Sequence, residues 1–155
     1  MMKIMFVCSG NTCRSPIAEF VMKHLINEAG LTNQIEVSSS GSYAEIGSPI
    51  SKGSKAQLKL HNIPFDEKHK SKQFTKSDYD NYDYIACMSR DGIKSLKNIV
   101  HGDPNKKFHL LLKNENVMDP FVSGDYSEAY NDIFKGCTIL LQEIEESSQS
   151  PENEN

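Results

Sequence analysis

The sequence predicts an α/β fold in which a four-stranded parallel sheet is flanked by helices on both faces, as a single three-layer, doubly wound domain. The chain has 155 residues, of which 37% are hydrophobic and 25% charged, and this balance suits one globular domain with its own core. Short apolar runs typical of strands alternate with stretches of helical spacing. We expect the folded domain to cover residues 1–146 and a disordered acidic tail to cover residues 147–155.

The beginning of the chain has the pattern of a strand, a helix and a second strand. The continuous apolar run in Lys3–Val7 indicates a buried strand, and helical spacing from about Pro16 to Glu28 ends at Gly30, a usual helix stop. Residues 35–37 then alternate like a strand. A right-handed βαβ unit makes these strands parallel, so their C-terminal ends meet at one edge of the sheet.

The later segments continue this alternation. Thr75 and Asp78 have the spacing of a capping box, which predicts a short helix after Thr75. The other predicted elements are helices from Pro49 to about His61, from Asp91 to Val100 and from near Asp125, and strands at Tyr84–Met88 and Lys107–Leu112.

The charge balance argues against several classes of partner. The net charge is −4, but residues 141–155 hold five Glu and no Lys or Arg, so the rest of the chain carries +1. A nearly neutral body without interleaved aromatic and basic residues does not favour nucleic acid as a partner. No apolar run has the length of a membrane span and no leader pattern is present. We therefore expect a cytoplasmic protein, which we take to be a monomer.

The four cysteines are predicted to be free thiols. A chain with a core of this size does not need disulfide bonds for stability, and Cys87 and Cys137 lie inside apolar patterns. Cys8 and Cys13 have no second close pair of Cys or His with which to complete a zinc site. We therefore expect neither a metal nor a cofactor.

The segment between the first strand and the first helix has the features of an oxyanion-binding loop. It reads Cys8-Ser9-Gly10-Asn11-Thr12-Cys13-Arg14-Ser15-Pro16. A helix N-terminus presents unpaired N–H groups and the positive end of the helix dipole. Gly10 and Asn11 tolerate positive φ, which lets successive N–H groups curl around an anion. The sequence therefore predicts a site for a phosphate-like group.

Two side chains of this loop indicate a reaction as well as binding. The amide dipoles and the charge of Arg14 favour the thiolate form of Cys8, which makes Cys8 a candidate nucleophile. Arg14 presents a planar fork of donors that matches two phosphoryl oxygens, and the chain contains only two Arg against fifteen Lys. Ser15 is placed to hydrogen-bond the sulfur of Cys8.

The Cys-x5-Arg-Ser motif directly after the first strand, together with Asp119-Pro120 late in the chain, resembles the low molecular weight protein tyrosine phosphatases. The resemblance extends from about Lys3 to about Ile144. It implies a flavodoxin-like fold and hydrolysis of phosphotyrosine or other aryl phosphates through a cysteinyl-phosphate intermediate. Its substrates would be phosphotyrosine-containing proteins or small aryl phosphates, and phosphate-like oxyanions would inhibit it. Asp119 is the expected general acid for the leaving phenol, and Phe121 an expected pocket wall.

The resemblance also assigns roles to residues around the loop. It implies that Ser40 and Asn11 help to fix the loop, that His69 supports it from behind, and that Tyr43 flanks the ring of the substrate. It implies further that an oxidised Cys8 is captured by Cys13 as a reversible disulfide. The remaining loop residues, Ser9, Gly10, Thr12 and Ser15, are expected to bind phosphate or support the loop.

Two alternatives remain open at this point. Thioredoxin-coupled arsenate reductases share the fold and the Cys-x5-Arg loop, but they need two resolving cysteines on one later segment, where this chain has only Cys87. The other alternative is an inactive module that binds phosphate or phosphopeptides. The presence of Cys8, Arg14 and Asp119 together argues against that module.

Overall fold

The structure is a computed structural model, and it describes residues 1–148. Strands and helices alternate in it almost as the sequence predicts. The strands are β1 (Met2–Cys8), β2 (Ile35–Gly41), β3 (Tyr84–Cys87) and β4 (Phe108–Leu110). The helices are α1 (Arg14–Glu28), α2 (Lys52–Leu60), α3 (Lys76–Asn81), α4 (Arg90–Val100), α5 (Pro120–Ser123) and α6 (Tyr126–Ser148).

The four strands form one parallel sheet in the order β2-β1-β3-β4, which confirms the predicted α/β architecture. In this register Val7 lies beside Ser40 on one side and beside Cys87 on the other. The C-terminal ends of β1, β2 and β3 therefore meet at one edge of the sheet. The loop that begins at Cys8 leaves from this edge.

Both faces of the sheet are covered, because successive side chains of β1 point to opposite faces. Ile4 and Phe6 belong to a core cluster that includes apolar residues of α1, α2 and α6. Met5 and Val7 belong to a second cluster on the other face, with residues of α3 and α4. All four side chains are at least 97% buried, so the unbroken apolar run in β1 reflects burial on both faces.

The start of α2 differs from the prediction. Pro49 does not open the helix, since it forms an isolated antiparallel bridge with Lys70. The helix begins after Ser51, whose side chain accepts a hydrogen bond from the N–H of Ser54. A serine cap with extended backbone therefore defines this end, which is a stronger start signal than the proline.

The end of α6 also differs from the prediction. We expect disorder from residue 147 onward, but the helix continues to Ser148, so this expectation is wrong for residues 147 and 148. Ile144 packs against the core. Backbone hydrogen bonds continue the helix past this residue, which is its last apolar contact with the core. The rest of the predicted tail, residues 149–155, lies outside the described residues. No helix within residues 1–148 has the length and apolar character needed to cross a membrane.

Candidate active site

The Cys8–Arg14 loop, defined as residues 8–14, joins the C-terminal end of β1 to the N-terminus of α1. Asn11 adopts a positive φ of 58°, whereas Gly10 is not among the residues with positive φ. The tolerance of Gly10 for that region is therefore not used, and Asn11 alone turns the chain there. Asparagine adopts this conformation more readily than most residues do.

The side chain of Asn11 holds the loop from inside the protein. It is fully buried, and its Nδ2 donates hydrogen bonds to Ser15 Oγ at 2.8 Å and to Ser39 Oγ at 3.0 Å. Its Oδ1 accepts a hydrogen bond from the backbone N–H of Lys72 at 3.0 Å. Three bonds to three different segments therefore fix the turn without any contribution from solvent.

The concave side of the loop carries hydrogen-bond donors. Among the hydrogen bonds found within residues 1–148, none has a backbone N–H of residues 9–13 as its donor. Arg14 is only 6% exposed, and its Nε is buried without an acceptor in the same part of the chain. Its Nη1 donates to the carbonyl of Val117 at 3.0 Å, which fixes the guanidinium in place. The arrangement is suited to a tetrahedral anion.

Cys8 lies at the base of this ring of donors. Its Sγ is 3.0 Å from Ser15 Oγ, as predicted, and only 7% of the residue is exposed. The hydroxyl of Ser15 accepts from Asn11 and lies 3.3 Å from the carbonyl of Ser40, so its single proton goes either to Cys8 or to Ser40. When Cys8 is ionised, donation to the sulfur stabilises the thiolate.

Asp119 faces the loop from the segment after β4. It caps the short helix α5, with Oδ1 accepting the N–H of Phe121 at 3.0 Å and Oδ2 lying 3.6 Å from Nη2 of Arg14. A cleft of about 230 Å³ separates the two segments. It is lined by Cys8, Ser9, Gly10, Thr12, Cys13, Arg14, Tyr43, Asp119 and Phe121. The structure thus brings the predicted nucleophile, guanidinium, carboxylate and aromatic walls to one place.

The sequence of the chain is matched by a known protein family. A sequence model of the family "low molecular weight phosphotyrosine protein phosphatase" matches residues 3–150, nearly the whole chain. The chain belongs to this family. The low molecular weight protein-tyrosine-phosphatase YfkJ of Bacillus subtilis is 32% identical over 156 residues, covering 96% of this chain and 99% of YfkJ.

Solved structures of the phosphatase family have the same fold. The low molecular weight protein tyrosine phosphatase SP-PTP of Streptococcus pyogenes superposes with a TM-score of 0.85 at 35% identity, over 92% of this chain and 93% of SP-PTP. YfkJ superposes with a TM-score of 0.90, over 95% of this chain and 96% of YfkJ. YwlE arginine phosphatase has a TM-score of 0.84 at 23% identity, over 93% of this chain and 96% of that protein, and this likeness shows the fold alone.

The hydroxyl that supports the Cys8–Arg14 loop is that of Ser39 and not that of Ser40. Neighbouring strand residues point to opposite faces, and Ser40 Oγ points to the far face, where it donates to Met5 Sδ at 3.1 Å. The hydroxyl that contacts Asn11 is therefore that of Ser39, one position before the serine selected from the sequence. Only the backbone carbonyl of Ser40 reaches the loop, through Ser15.

His69 and Glu19 contact Ser39 and so lie behind the Cys8–Arg14 loop. His69 Nε2 lies 3.3 Å from Ser39 Oγ and 3.5 Å from Glu19 Oε1, so His69 reaches the loop through Ser39, in line with its expected supporting position. Ser39 Oγ donates to Glu19 Oε1 at 2.5 Å, and Lys23 Nζ is 2.6 Å from Oε2. The sequence analysis missed Glu19, although an acidic residue on the apolar side of a helix is a signal for a buried partner.

The buried carboxylate of Glu19 is held in its charged form. Burial raises its pKa, but hydrogen bonds from His69, Lys23 and Ser39 outweigh that effect and lower the pKa to about 2. Because the folded pKa lies below the unfolded value, Glu19 stabilises the native state above about pH 4.5. This contribution is lost as the pH falls from there towards 2.

Replacing Glu19 with Gln is therefore expected to remove a pH-dependent part of the stability. The difference in unfolding free energy between the wild type and Glu19→Gln should be about 3 kcal/mol at neutral pH and should shrink below about pH 4.5. Urea unfolding between pH 2.5 and pH 7 measures it. Glu28→Gln is the control, because Glu28 is exposed and, within residues 1–148, pairs with His24 alone. A Glu19→Gln difference that stays constant over this range would contradict the assignment.

Close backbone approach explains why Gly41 follows the serines. The N–H of Ser42 donates to the carbonyl of Cys8 and that of Tyr43 to the carbonyl of Ser9, both at 2.9 Å. A Cβ atom at Gly41 would lie 2.5 Å from the carbonyl oxygen of Ser9. Only glycine therefore allows the residues after β2 to hydrogen-bond to the Cys8–Arg14 loop, which places Tyr43 at the cleft.

Cys13 contacts a residue that the sequence analysis did not select. Its Sγ is 3.7 Å from the hydroxyl of Tyr126, at the start of α6, and 3.8 Å from Thr12 Oγ1. Burial raises the pKa of Tyr126, and the neighbouring Cys13 adds to the shift, so this hydroxyl keeps its proton. Cys8 and Cys13 are both free thiols, and the protective disulfide between them stays a prediction.

Proposed function

We propose that the protein hydrolyses aryl phosphate monoesters, above all phosphotyrosine in proteins, through a cysteinyl-phosphate intermediate. The observation that carries this proposal is the position of Cys8 Sγ at the base of a loop of free N–H donors, with Arg14 at its rim and Asp119 across the cleft. The loop binds the phosphoryl group, the sulfur attacks its phosphorus, and the carboxyl group donates a proton to the leaving oxygen.

In the first step the thiolate of Cys8 attacks phosphorus in line with the leaving oxygen. A sulfur–phosphorus bond forms while the phosphorus–oxygen bond to the phenol breaks, and Asp119 donates its proton to the departing oxygen. The backbone N–H groups and the guanidinium of Arg14 stabilise the charge on the three equatorial oxygens. Ser15 stabilises the thiolate before attack.

In the second step water attacks the phosphorus of the cysteinyl phosphate. Asp119, now a carboxylate, accepts a proton from that water, and the sulfur–phosphorus bond breaks. Inorganic phosphate leaves, and the thiolate of Cys8 is regenerated. The cycle needs no electron acceptor and no group beyond water and the side chains in the cleft.

The walls of the cleft favour an aromatic leaving group. Tyr43 is 78% exposed and Phe121 is 83% exposed, and both line the cleft above the Cys8–Arg14 loop. Two exposed aromatic rings beside an anion site gain contact area when a phenyl ring enters between them. A phosphoserine side chain is too short to make these contacts while its phosphate lies in the loop.

The arsenate reductase alternative finds little support in the surroundings of Cys87. Cys87 is 1% exposed in the core strand β3, and burial raises the pKa of its thiol far above the usual range. A resolving cysteine must be accessible to the reacting sulfur, and it must ionise to the thiolate. Cys87 meets neither requirement.

One comparison of substrates tests the proposal. Phosphate release from a phosphotyrosine peptide is measured with and without orthovanadate, beside arsenate reduction with a thiol donor and phosphopeptide binding without turnover. A phosphoarginine peptide is included, because a guanidinium leaving group would also pair with the Asp119 carboxylate, and arginine phosphatase is the printed activity of YwlE. We expect vanadate-sensitive release from phosphotyrosine to be the fastest reaction. Faster release from phosphoarginine, arsenate reduction, or binding alone would replace the proposed substrate class.

Replacing Asp119 with Ala should slow the reaction most for poor leaving groups. A nitrophenolate leaves without protonation, whereas phenolate needs a proton, so we expect kcat/KM, which reports the first step, to fall about 100-fold or more for phenyl phosphate and much less for p-nitrophenyl phosphate. Steady-state kinetics with both esters measure the ratio. Asp80→Ala is the control, because Asp80 is an exposed carboxylate of α3 that pairs with Lys76 and does not line the cleft. Equal losses with both esters would reject Asp119 as the general acid.

A further inference from the structure

The loop that carries Asp119 is exposed and is held at its two ends. Of residues 118–125 only Pro120 is buried. Within residues 1–148, the ion pair between Arg14 and Asp119 is the only hydrogen bond or ion pair that links these residues to an earlier part of the chain. The position of the carboxyl group therefore depends on the residues that flank this loop, Val117 and Tyr126.

Val117 fixes the first end. It is 1% exposed, its N–H donates to the carbonyl of Met88 at 2.7 Å, and its carbonyl accepts from Arg14 Nη1 at 3.0 Å. This end of the Asp119 loop is tied directly to the guanidinium that binds the phosphoryl group.

Tyr126 fixes the second end by lying on a glycine. A Cβ atom at Gly53 would lie 2.5 Å from three carbon atoms of the Tyr126 ring, so the ring occupies the space that any larger residue would need. Its hydroxyl group lies 3.7 Å from Cys13 Sγ. The ring therefore sits between α2 and the outer part of the Cys8–Arg14 loop.

The start of α2 is itself attached to that loop. The N–H of Ser51 donates to the carbonyl of Thr12 at 2.8 Å, and Ser54 Oγ donates to the carbonyl of Cys13 at 3.0 Å. The surface on which Tyr126 rests is thus attached to the Cys8–Arg14 loop by two hydrogen bonds. Both ends of the Asp119 loop therefore contact the residues that bind the phosphoryl group or residues hydrogen-bonded to them.

We propose that Tyr126 is a positioning residue for the general acid: its ring, seated on Gly53, sets the reach of Asp119 to the leaving oxygen. This inference rests on the proposed function. Proton transfer needs the carboxyl group within hydrogen-bond distance of the leaving oxygen, and a displacement of about 1 Å costs up to about 100-fold in rate. The first end of the loop alone does not fix that distance, because eight residues separate Val117 from Tyr126.

Two substitutions perturb the same contact from opposite sides. Tyr126→Ala removes the ring, and Gly53→Ala pushes the ring away with a new methyl group. For each we expect kcat/KM, which reports the first step, to fall about 10-fold with phenyl phosphate and about 2-fold or less with p-nitrophenyl phosphate, whose leaving group needs no proton. Tyr126→Phe keeps the ring and should restore the wild-type ratio of the two rates.

A double-mutant cycle separates positioning from general damage. Once the ring is gone, the methyl group of Gly53→Ala meets nothing from Tyr126, so Gly53→Ala should add no further loss in the Tyr126→Ala background. Gly136→Ala is the matched control, because its Cβ would lie 2.6 Å from Leu111 in the core and not at the cleft. It should lower the melting temperature and leave the ratio of the two rates unchanged.

The outcomes distinguish this inference from the proposed function. Equal losses with both esters in Tyr126→Ala or Gly53→Ala, or additive losses in the double variant, overturn the role of Tyr126. If the loss in Asp119→Ala does not depend on the leaving group, the assignments of Asp119 as the general acid and of Tyr126 as its positioning residue are both wrong. If Asp119→Ala behaves as expected and both perturbing variants keep the wild-type ratio, only the inference on Tyr126 fails.

Discussion

Replacing Cys8 with Ser is expected to abolish turnover while preserving the binding of phosphate-like oxyanions. At neutral pH a serine hydroxyl is almost fully protonated, and in the first step Asp119 acts on the leaving oxygen and not on the nucleophile, so a covalent intermediate forms only very slowly. The N–H groups of the loop and Arg14 remain in place and continue to bind the anion. We expect kcat to fall at least about 10,000-fold, measured by phosphate release from p-nitrophenyl phosphate.

Binding to the Cys8→Ser protein is measured by calorimetric titration with inorganic phosphate. Cys137→Ala is the control, because Cys137 is a fully buried thiol in the core against α1, far from the cleft. It should keep its activity. More than about 1% residual activity in Cys8→Ser, or a folded variant that no longer binds phosphate, would contradict the assignment of Cys8 as the nucleophile.

Replacing Arg14 with Lys is expected to lower kcat/KM about 1,000-fold even though the positive charge is kept. The guanidinium donates to Val117 with Nη1, while its buried Nε has no acceptor within residues 1–148, and an ammonium group cannot supply several donors in one plane. Charge-stabilising donors of this kind contribute about 100-fold to 100,000-fold in related chemistry. The affinity for phosphate should fall as well.

The chain offers a matched control for this substitution. Arg90, the second of its two arginines, is exposed at the start of α4, and its Nη2 makes only a long contact of 3.4 Å with the carbonyl of Asn114. Arg90→Lys should therefore leave kcat/KM unchanged. If Arg14→Lys retained activity within about 10-fold of the wild type, a point charge would be sufficient and the bidentate role of Arg14 would be wrong.

The fold and the centre of the site could be predicted because their signals are local. The apolar run of β1 predicts burial on both faces without any knowledge of its neighbours. Cys8 and Arg14 belong to one continuous turn, and parallel strands bring Asp119 to the same edge. Short-range pattern and topology were therefore enough to bring the candidate reacting groups to one edge, whereas the choice of Asp119 as the acid came from the family resemblance.

The supporting residues could not be predicted because their signals are not local. Cys13 meets Tyr126 across 113 positions of sequence, and nothing near either residue indicates the other. Three consecutive serines at residues 38–40 leave the strand register open by one position, and that position decides which hydroxyl faces Asn11. Helix α5 has only four residues, too few for a periodic pattern to be detected.

The two edges of the sheet differ in length, and this affects how molecules of the protein meet one another. β4 has three residues and offers a short row of unpaired groups, whereas β2 has seven. The C-terminal end of β2 is closed, because Gly41 exchanges hydrogen bonds of 2.8 Å with Lys72 and Phe74. The part of β2 that stays open carries Glu36, which forms an ion pair with Lys3 of β1. Short and charged edges disfavour strand-to-strand association, so the sheet resists aggregation in concentrated solution.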